Sequence, residues 1–429
     1  MNATESFDVF VAGGGSAGLA AAVAAARTGA RTLLVERHGS LGGMASAALV
    51  HSVCGLYRLP WDKNQPAELA NGGFAAEFAR RLLATGGAQG PVRLGRVDIL
   101  LHRPAAFARL ADVVARETPS LTVRLHTEIV DVAADTVRLS CRGVSQAVRV
   151  GTWVDATGDG VLATLRGARS EMAACGHLQR PAFIFAVGGV DPRALEDDGR
   201  LRLARRIVGA VREGALPPGL LGAHFRASPQ PGEAFVTIDL SGGERFDPLD
   251  PACLTHLETD GREMGEKLVD FLRVESSASS ASSGVPNLSK VYVSAWPSRA
   301  GVRESRRVVG RYRIETEDVE VGRSFEDEVA YAAWPMELRE TNLGPKLRFP
   351  TGESPCGIPL RALRVPDDDT LFVAGRCVSC SHEAQASLRV IGTCLATGEA
   401  AGVAAALQQQ GKPCDAGSVR TARDRLART

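Results

Sequence analysis

Two histidines, a run of arginines and one cysteine pair are the side chains of this 429-residue chain whose types and spacing could do chemistry. His382 stands in CVSCSHEAQAS, and His51 follows the glycine-rich SLGGMASAALV. An imidazole ordinarily titrates near neutrality, so either ring could take a proton from a reacting O–H or N–H. The competing reading of each is a histidine that fixes its loop through hydrogen bonds. Arg303 and Arg306 lie in RAGVRESRRVVGRY. A charge run usually marks a solvated helix face. Here Gly301, Val302, Val308 and Val309 surround it, which favours partial burial. A buried guanidinium needs an anion, either Glu304 or a ligand. Cys377 and Cys380 form C-x-x-C, which reads either as a redox pair or as two buried thiols. No other His or Cys stands at ligand spacing, so no metal site is expected.

The elements that must position these groups begin at residue 7. Residues 7–12 (FDVFVA) read as a buried strand and 19–27 as an alanine-rich helix closed by Gly29. Between them Gly13, Gly15 and Gly18 spell G-x-G-x-x-G. The first glycine permits a sharp turn, the second a close backbone approach to a diphosphate, and the third tight helix–strand packing. Ser16 and Ala17 then open a helix whose free N–H groups and dipole favour phosphate. Residues 32–35 form the next strand, closed by Glu36 and Arg37. A carboxylate about 20 residues beyond the glycines accepts hydrogen bonds from a ribose diol and disfavours a 2′-phosphate. A second glycine turn follows at Gly42 and Gly43, leading into Met44 and Ala45. A nicotinamide-only domain has no use for it. A longer FAD molecule does, because it continues beneath that loop.

Size and composition are consistent with this. The length suits two or three packed units. A formal charge of +1 and 5% aromatic residues offer no footprint for nucleic acid. Nine scattered cysteines fit a reducing compartment, and no run of about 18 uninterrupted apolar residues predicts a membrane span. Acidic Glu5 and Asp8 sit where a secretion signal would be basic, so the expected location is cytoplasmic.

Further along, 104–117 has helical spacing, 121–132 alternates as a strand, and 136–141 with 147–150 reads as a hairpin. Residues 153–155 form a buried strand entering ATGDG, with Thr157, Gly158 and Asp159. From about 172 the character changes. Strands at 182–187, 234–240 and 290–296, a charged helix at 254–274, and a Ser/Ala-rich loop at 275–287 read as an inserted α+β substrate domain. At the end, a strand at 370–374 meets Gly375 and Arg376, and a helix rich in small residues is expected from Leu388 to Gln408, entered through Ser387. The expected units are 1–171 and 346–429 for one α/β Rossmann-like domain and 172–345 for the insert.

Together the blocks GGGSAGLAAA, VERHGSLGGMA, VDATGDG, GVRESRRVVG, IPLRAL and LFVAGRCVSCSHEAQASLRVIGTCLATGEAAG resemble the signature of the FAD-dependent oxidoreductase family, in order and over nearly the whole chain. The resemblance implies a glutathione-reductase-like two-domain fold, non-covalent FAD, and a site between flavin and insert. It also implies that the backbone near Val130 faces the adenine and that Asp159 lies near the phosphates and ribityl chain. Taken alone, Asp159 reads equally well as a turn-forming Asp-Gly.

No second strand–glycine–helix unit for a nicotinamide is found. The simplest chemistry is therefore a hydride passed from a C–H beside a hydroxyl or amine of a small polar or anionic substrate to flavin N5. An NAD(P)H-dependent reductase or monooxygenase is the alternative, and an FAD-containing RNA-modifying or carrier-bound assembly protein a third. His382, just beyond the Gly375-Arg376 turn, is the leading base, and His51 the second. The cysteine pairs of disulfide reductases of this fold lie elsewhere in the chain, which favours two buried thiols here. Neither the electron acceptor nor the oligomeric state is encoded legibly.

Overall fold

The apolar runs that read as strands assemble side by side. In the computed structural model, which describes residues 5–62, 64–241, 246–278, 287–341 and 344–427, Asp368–Val373, Val144–Asp155, Glu5–Ala12, Thr32–Val35 and Leu121–Arg124 form one parallel sheet in that spatial order. Arg364–Val365 adds an antiparallel edge. Ala12 is in register with both Val35 and Asp155, and Asp155 with Val373, so four strand ends open at one level. The chain moves outward from the first strand in both directions. That makes its end the switch point, where open α/β sheets form a crevice.

The sheet is covered by two helices that are buried almost throughout, Ser16–Arg27 and Ile391–Gln409. They approach closely because Gly398 and Gly402 carry no side chain. A Cβ on either would stand 2.1 Å from a carbonyl oxygen, of Ala17 and Ala21 respectively. The beginning of the chain and its end are thus locked together under one core. Stretches between the recognised blocks supply a helix, Gly73–Ala84, and an antiparallel trio, Ser52–Val53, Val97–His102 and Ala88–Leu94.

The insert is built around an antiparallel sheet ordered His224–Ala227, Glu233–Asp239, Ala182–Gly188, Tyr292–Ala295. Its two faces differ. Phe183, Phe185, Val187, Val236 and Ile238 point into a second core with the helices Asp197–Arg212 and Pro251–Ala278. Ala182, Ile184, Ala186 and Phe235 point the other way, against Leu49 and Val50 of the first unit. The second core spans Leu178 to Ala300, whereas Ile314, Val319, Met336 and Leu338 join the large core. The charged helix runs through 275–278, part of the expected Ser/Ala-rich loop; 279–286 lie outside the described residues.

Two elements differ from the sequence reading. The single strand expected over 121–132 is split. Glu128–Val132 turns back to pair with Thr136–Cys141 after His126 takes a left-handed φ of 53°. The expected long terminal helix is also two helices, His382–Leu388 and Ile391–Gln409, bent by 91° at Arg389 and the extended Val390. No single helix among the described residues is long and apolar enough to cross a membrane.

Candidate FAD site and its catalytic neighbours

At the crevice lies a cavity of about 310 Å³. Its floor is backbone. Gly13 has φ 91°, and a Cβ there would stand 2.7 Å from the Ala156 carbonyl oxygen. A Cβ on Gly18 would lie 1.7 Å from the Gly13 carbonyl oxygen, which explains the third glycine. The second glycine turn folds onto the first: the Gly42 N–H donates to the Gly14 carbonyl at 2.8 Å, and a Cβ on Gly43 would come within 2.8 Å of Gly15 Cα. The helix Ser16–Arg27 has Gly15 as its N-cap and no side-chain cap, so its first N–H groups remain available to an anion.

Charged side chains ring this floor. Buried Glu36 accepts from Gly14 N–H at 2.7 Å and His38 N–H at 2.8 Å, one bond per oxygen. Each oxygen keeps a lone pair for a ribose hydroxyl. Asp159 accepts from Arg376 at 2.6 Å and the Ser305 hydroxyl at 2.7 Å, with Arg37 at 4.0 Å. Burial alone would raise its pKa, but Arg376, Ser305, Arg37 and Arg299 outweigh it and hold the carboxylate below its ordinary range. Arg299 is pushed down by burial and by repulsion from Arg376 and Arg37. It has no ion pair among the described residues, and its Nε is buried without a partner. A glycine cradle that side chains would fill, an uncapped helix start and an orphaned guanidinium N–H fit a diphosphate. The residues present therefore fit FAD.

Of the positions expected at the cofactor, Gly13, Gly15, Ser16, Ala17, Glu36, Arg37, Gly43, Met44, Thr157, Gly158, Asp159, Gly375 and Arg376 line the cavity. Gly18, Gly42 and Ala45 do not; the first two shape its floor from behind, and Ala45 is fully buried. Val130 itself does not line the cavity; it is 48% exposed and sits in a bulge, where the pairing register shifts between Ile129 and Asp131. Thr127, Glu128 and Ile129 line the cavity in its place. Ser387 and Leu388 do not line it. Ser387 donates to the Trp334 carbonyl, and the helix break passes the lining role to Arg389, Ile391 and Cys394. Arg299 and Arg389 went unrecognised. Arg299 opens the arginine run already singled out, while Arg389 has no local signal.

The catalytic candidates separate. His382 does not line the cavity; its Nδ1 lies 2.9 Å from Glu304, a fully buried carboxylate that also accepts from Arg307 and from Gln179 N–H at 3.0 Å. That bond, stronger than the opposing burial, raises the histidine's pKa. Arg303 and Arg306 are both half-buried, Arg303 against Asp239 at 2.8 Å and Arg306 beside Gly160. The arginine of that run buried with Glu304 is Arg307. His51 does not line the cavity either; it is buried and stacks on Phe235, with ring centroids 4.5 Å apart and 8° between planes. Burial, then the charge of Arg226, pushes its pKa well below the usual value, so the ring is neutral. Its Nδ1 lies 3.2 Å from the Leu49 carbonyl, which can only accept. Nδ1 therefore carries the proton and Nε2 the lone pair. Cys377 and Cys380 are buried and free, bonded to backbone carbonyls, with burial pushing both thiols up and Cys380 to about 12. Neither offers a thiolate.

A family model described as FAD dependent oxidoreductase matches residues 8–422. The chain belongs to that family. Its fold is also similar to that of the flavin-dependent brominase Bmp2, at 13% identity and a TM-score of 0.50, covering 98% of this chain and 83% of that one. A flavoprotein/dehydrogenase from Cytophaga hutchinsonii matches at 12% identity and a TM-score of 0.48, over 95% and 80% of the two chains. This family member is thus an FAD-dependent oxidoreductase with a Rossmann-like α/β fold.

Proposed function

We propose that this oxidoreductase oxidises a small polar or anionic substrate at a C–H beside a hydroxyl or amine. FAD supplies the hydride acceptor, at its N5. The glycine turns and the Ser16 helix start hold the diphosphate, Glu36 the ribose, and Arg299 and Arg376 the flanking charge. The observation that carries the reading is His51. It is a neutral imidazole with its lone pair on Nε2, fixed by Leu49 and by stacking on Phe235 of the insert sheet, in the chain segment that follows the cavity-lining Met44. Losing a hydride from carbon leaves an O–H or N–H proton to remove, and a ring kept neutral by burial can take it. His382, held by Glu304, serves instead as a clamp between the arginine run and the C-terminal block. The described residues contain one parallel sheet, with no second Rossmann-like sheet for nicotinamide, which supports the substrate as the source of electrons.

Anaerobic mixing of the FAD-loaded protein with a panel of hydroxy and amino compounds tests this. Bleaching of the flavin band by a member of the panel, without NADH or NADPH, is expected. Bleaching by NADPH or NADH alone would transfer the site to a reductase or monooxygenase.

A further inference from the structure

The face of the insert sheet turned towards the first unit is half apolar and half charged. Residues directly opposite in an antiparallel pair share a face, as do alternate residues along a strand. Arg226 pairs opposite Phe235, whose ring lies on His51, and Asp239 follows on the same face two alternations later. Asp239 takes ion pairs from Arg303 at 2.8 Å and Arg339 at 2.7 Å, and Arg339 also reaches Glu337 at 2.6 Å. Arg389 donates to the Glu337 backbone carbonyl at 3.1 Å and to the Gln179 side chain at 3.0 Å, both neutral acceptors.

Five guanidiniums here share two carboxylates, the fifth being Arg180, which donates to the Asp239 backbone carbonyl at 3.5 Å. Arg303 and Arg339 use both. The half-buried Arg226 guanidinium has no hydrogen bond or ion pair among the described residues, and the Nε of Arg389 is buried without a partner. Arg389 lies deep enough for burial, with repulsion from Arg303, to push it down to about 10, yet its side chain keeps an open surface because it lines the cavity. Half-buried cations without a carboxylate of their own gain most when an anion arrives. An interior that already spends Asp239 and Glu337 on two arginines gains most from a carboxylate brought by the ligand.

We propose that Arg226 and Arg389 form an anion subsite that binds the carboxylate of the substrate, setting its reactive carbon between His51 and the cofactor cavity. This deepens the oxidation reading above and rests on it, narrowing its substrate class to small carboxylic acids such as hydroxy or amino acids. Bidentate guanidinium–carboxylate pairing would fix orientation as well as affinity.

The test uses FAD-loaded full-length protein titrated with malonate, acetate and acetamide, none of which needs to be oxidised. Saturable perturbation of the flavin visible spectrum and a rise in melting temperature are expected with the carboxylates and not with acetamide. Arg226→Gln and Arg389→Gln should each weaken carboxylate binding by about 30-fold or more, while Arg226→Lys recovers part of it. Should Arg389→Gln lose FAD or fail to fold, Arg226→Gln decides alone. Equal responses to acetate and acetamide, or unchanged carboxylate affinity in Arg226→Gln, would overturn the subsite. Carboxylate binding without flavin reduction by any acid would leave the subsite standing and remove the oxidation reading. Reduction by neutral compounds only, with no carboxylate binding, would do the reverse.

Discussion

The cofactor crevice and the insert-facing arginine cluster solve the same problem, holding an anion away from water, by opposite means. The crevice uses backbone: Gly13, Gly15 and Gly43 leave out side chains, and the uncapped start of the Ser16 helix presents N–H groups. The cluster uses side chains recruited from distant parts of the chain, Arg389 meeting Gln179 across 210 residues. Backbone recognition demands missing side chains at fixed spacings, so it leaves a local code. Side-chain recognition demands only that arginines converge after folding.

That contrast can be broken first on the backbone side, where effects are largest. Gly18→Ala puts a Cβ 1.7 Å from the Gly13 carbonyl oxygen. We expect loss of about 3 kcal/mol or more of stability and a colourless purified protein, read by denaturant melts and visible absorbance. Next is Asp239→Asn, which leaves Arg303 and Arg339 facing each other without their shared carboxylate. Its carboxylate is held down to about 2 by these arginines against the cost of burial. A loss of about 3–5 kcal/mol is expected, with FAD retained at low temperature because the crevice is built separately.

The same contrast explains what was legible. Strand, glycine turn, helix and Glu36 stand in order within 36 residues, and each is required by the one before it. The lining by Thr127–Ile129 was missed by a short distance because a bulge at Val130 shifts alternation, which no residue type announces. The start of the cavity-facing helix was placed at Leu388, three residues before Ile391, because the composition of LRVIGT does not show a 91° bend. His51 and His382 could not be ranked from sequence. Their difference lies in Phe235, Leu49 and Glu304, all brought by tertiary contacts except Leu49.

Two smaller effects sharpen the assignment of those histidines. His51→Asn should lower the rate of flavin reduction by about 10²–10⁴ while leaving carboxylate binding near wild type. Because its pKa is lowered well below 6.5, the acid limb of the rate profile should fall below pH 6.5. A base with the raised pKa of His382 would place it above that value. His382→Gln should instead cost stability. The folded pKa lies above the unfolded value, so the Glu304 bond contributes fully below about pH 6.5 and is lost as pH rises through the folded pKa. The variant should lose about 1–2 kcal/mol at pH 6 and distinctly less at pH 9, read by urea melts at both.

The most direct measurement follows anaerobic flavin reduction in a stopped flow with the first carboxylic acid that bleaches the protein, prepared with hydrogen or deuterium on the carbon bearing its hydroxyl or amine. The account predicts a rate slowed several-fold by deuterium and slowed again in His51→Asn. A rate indifferent to that deuterium, or bleaching that proceeds only with NADPH or NADH, would contradict it.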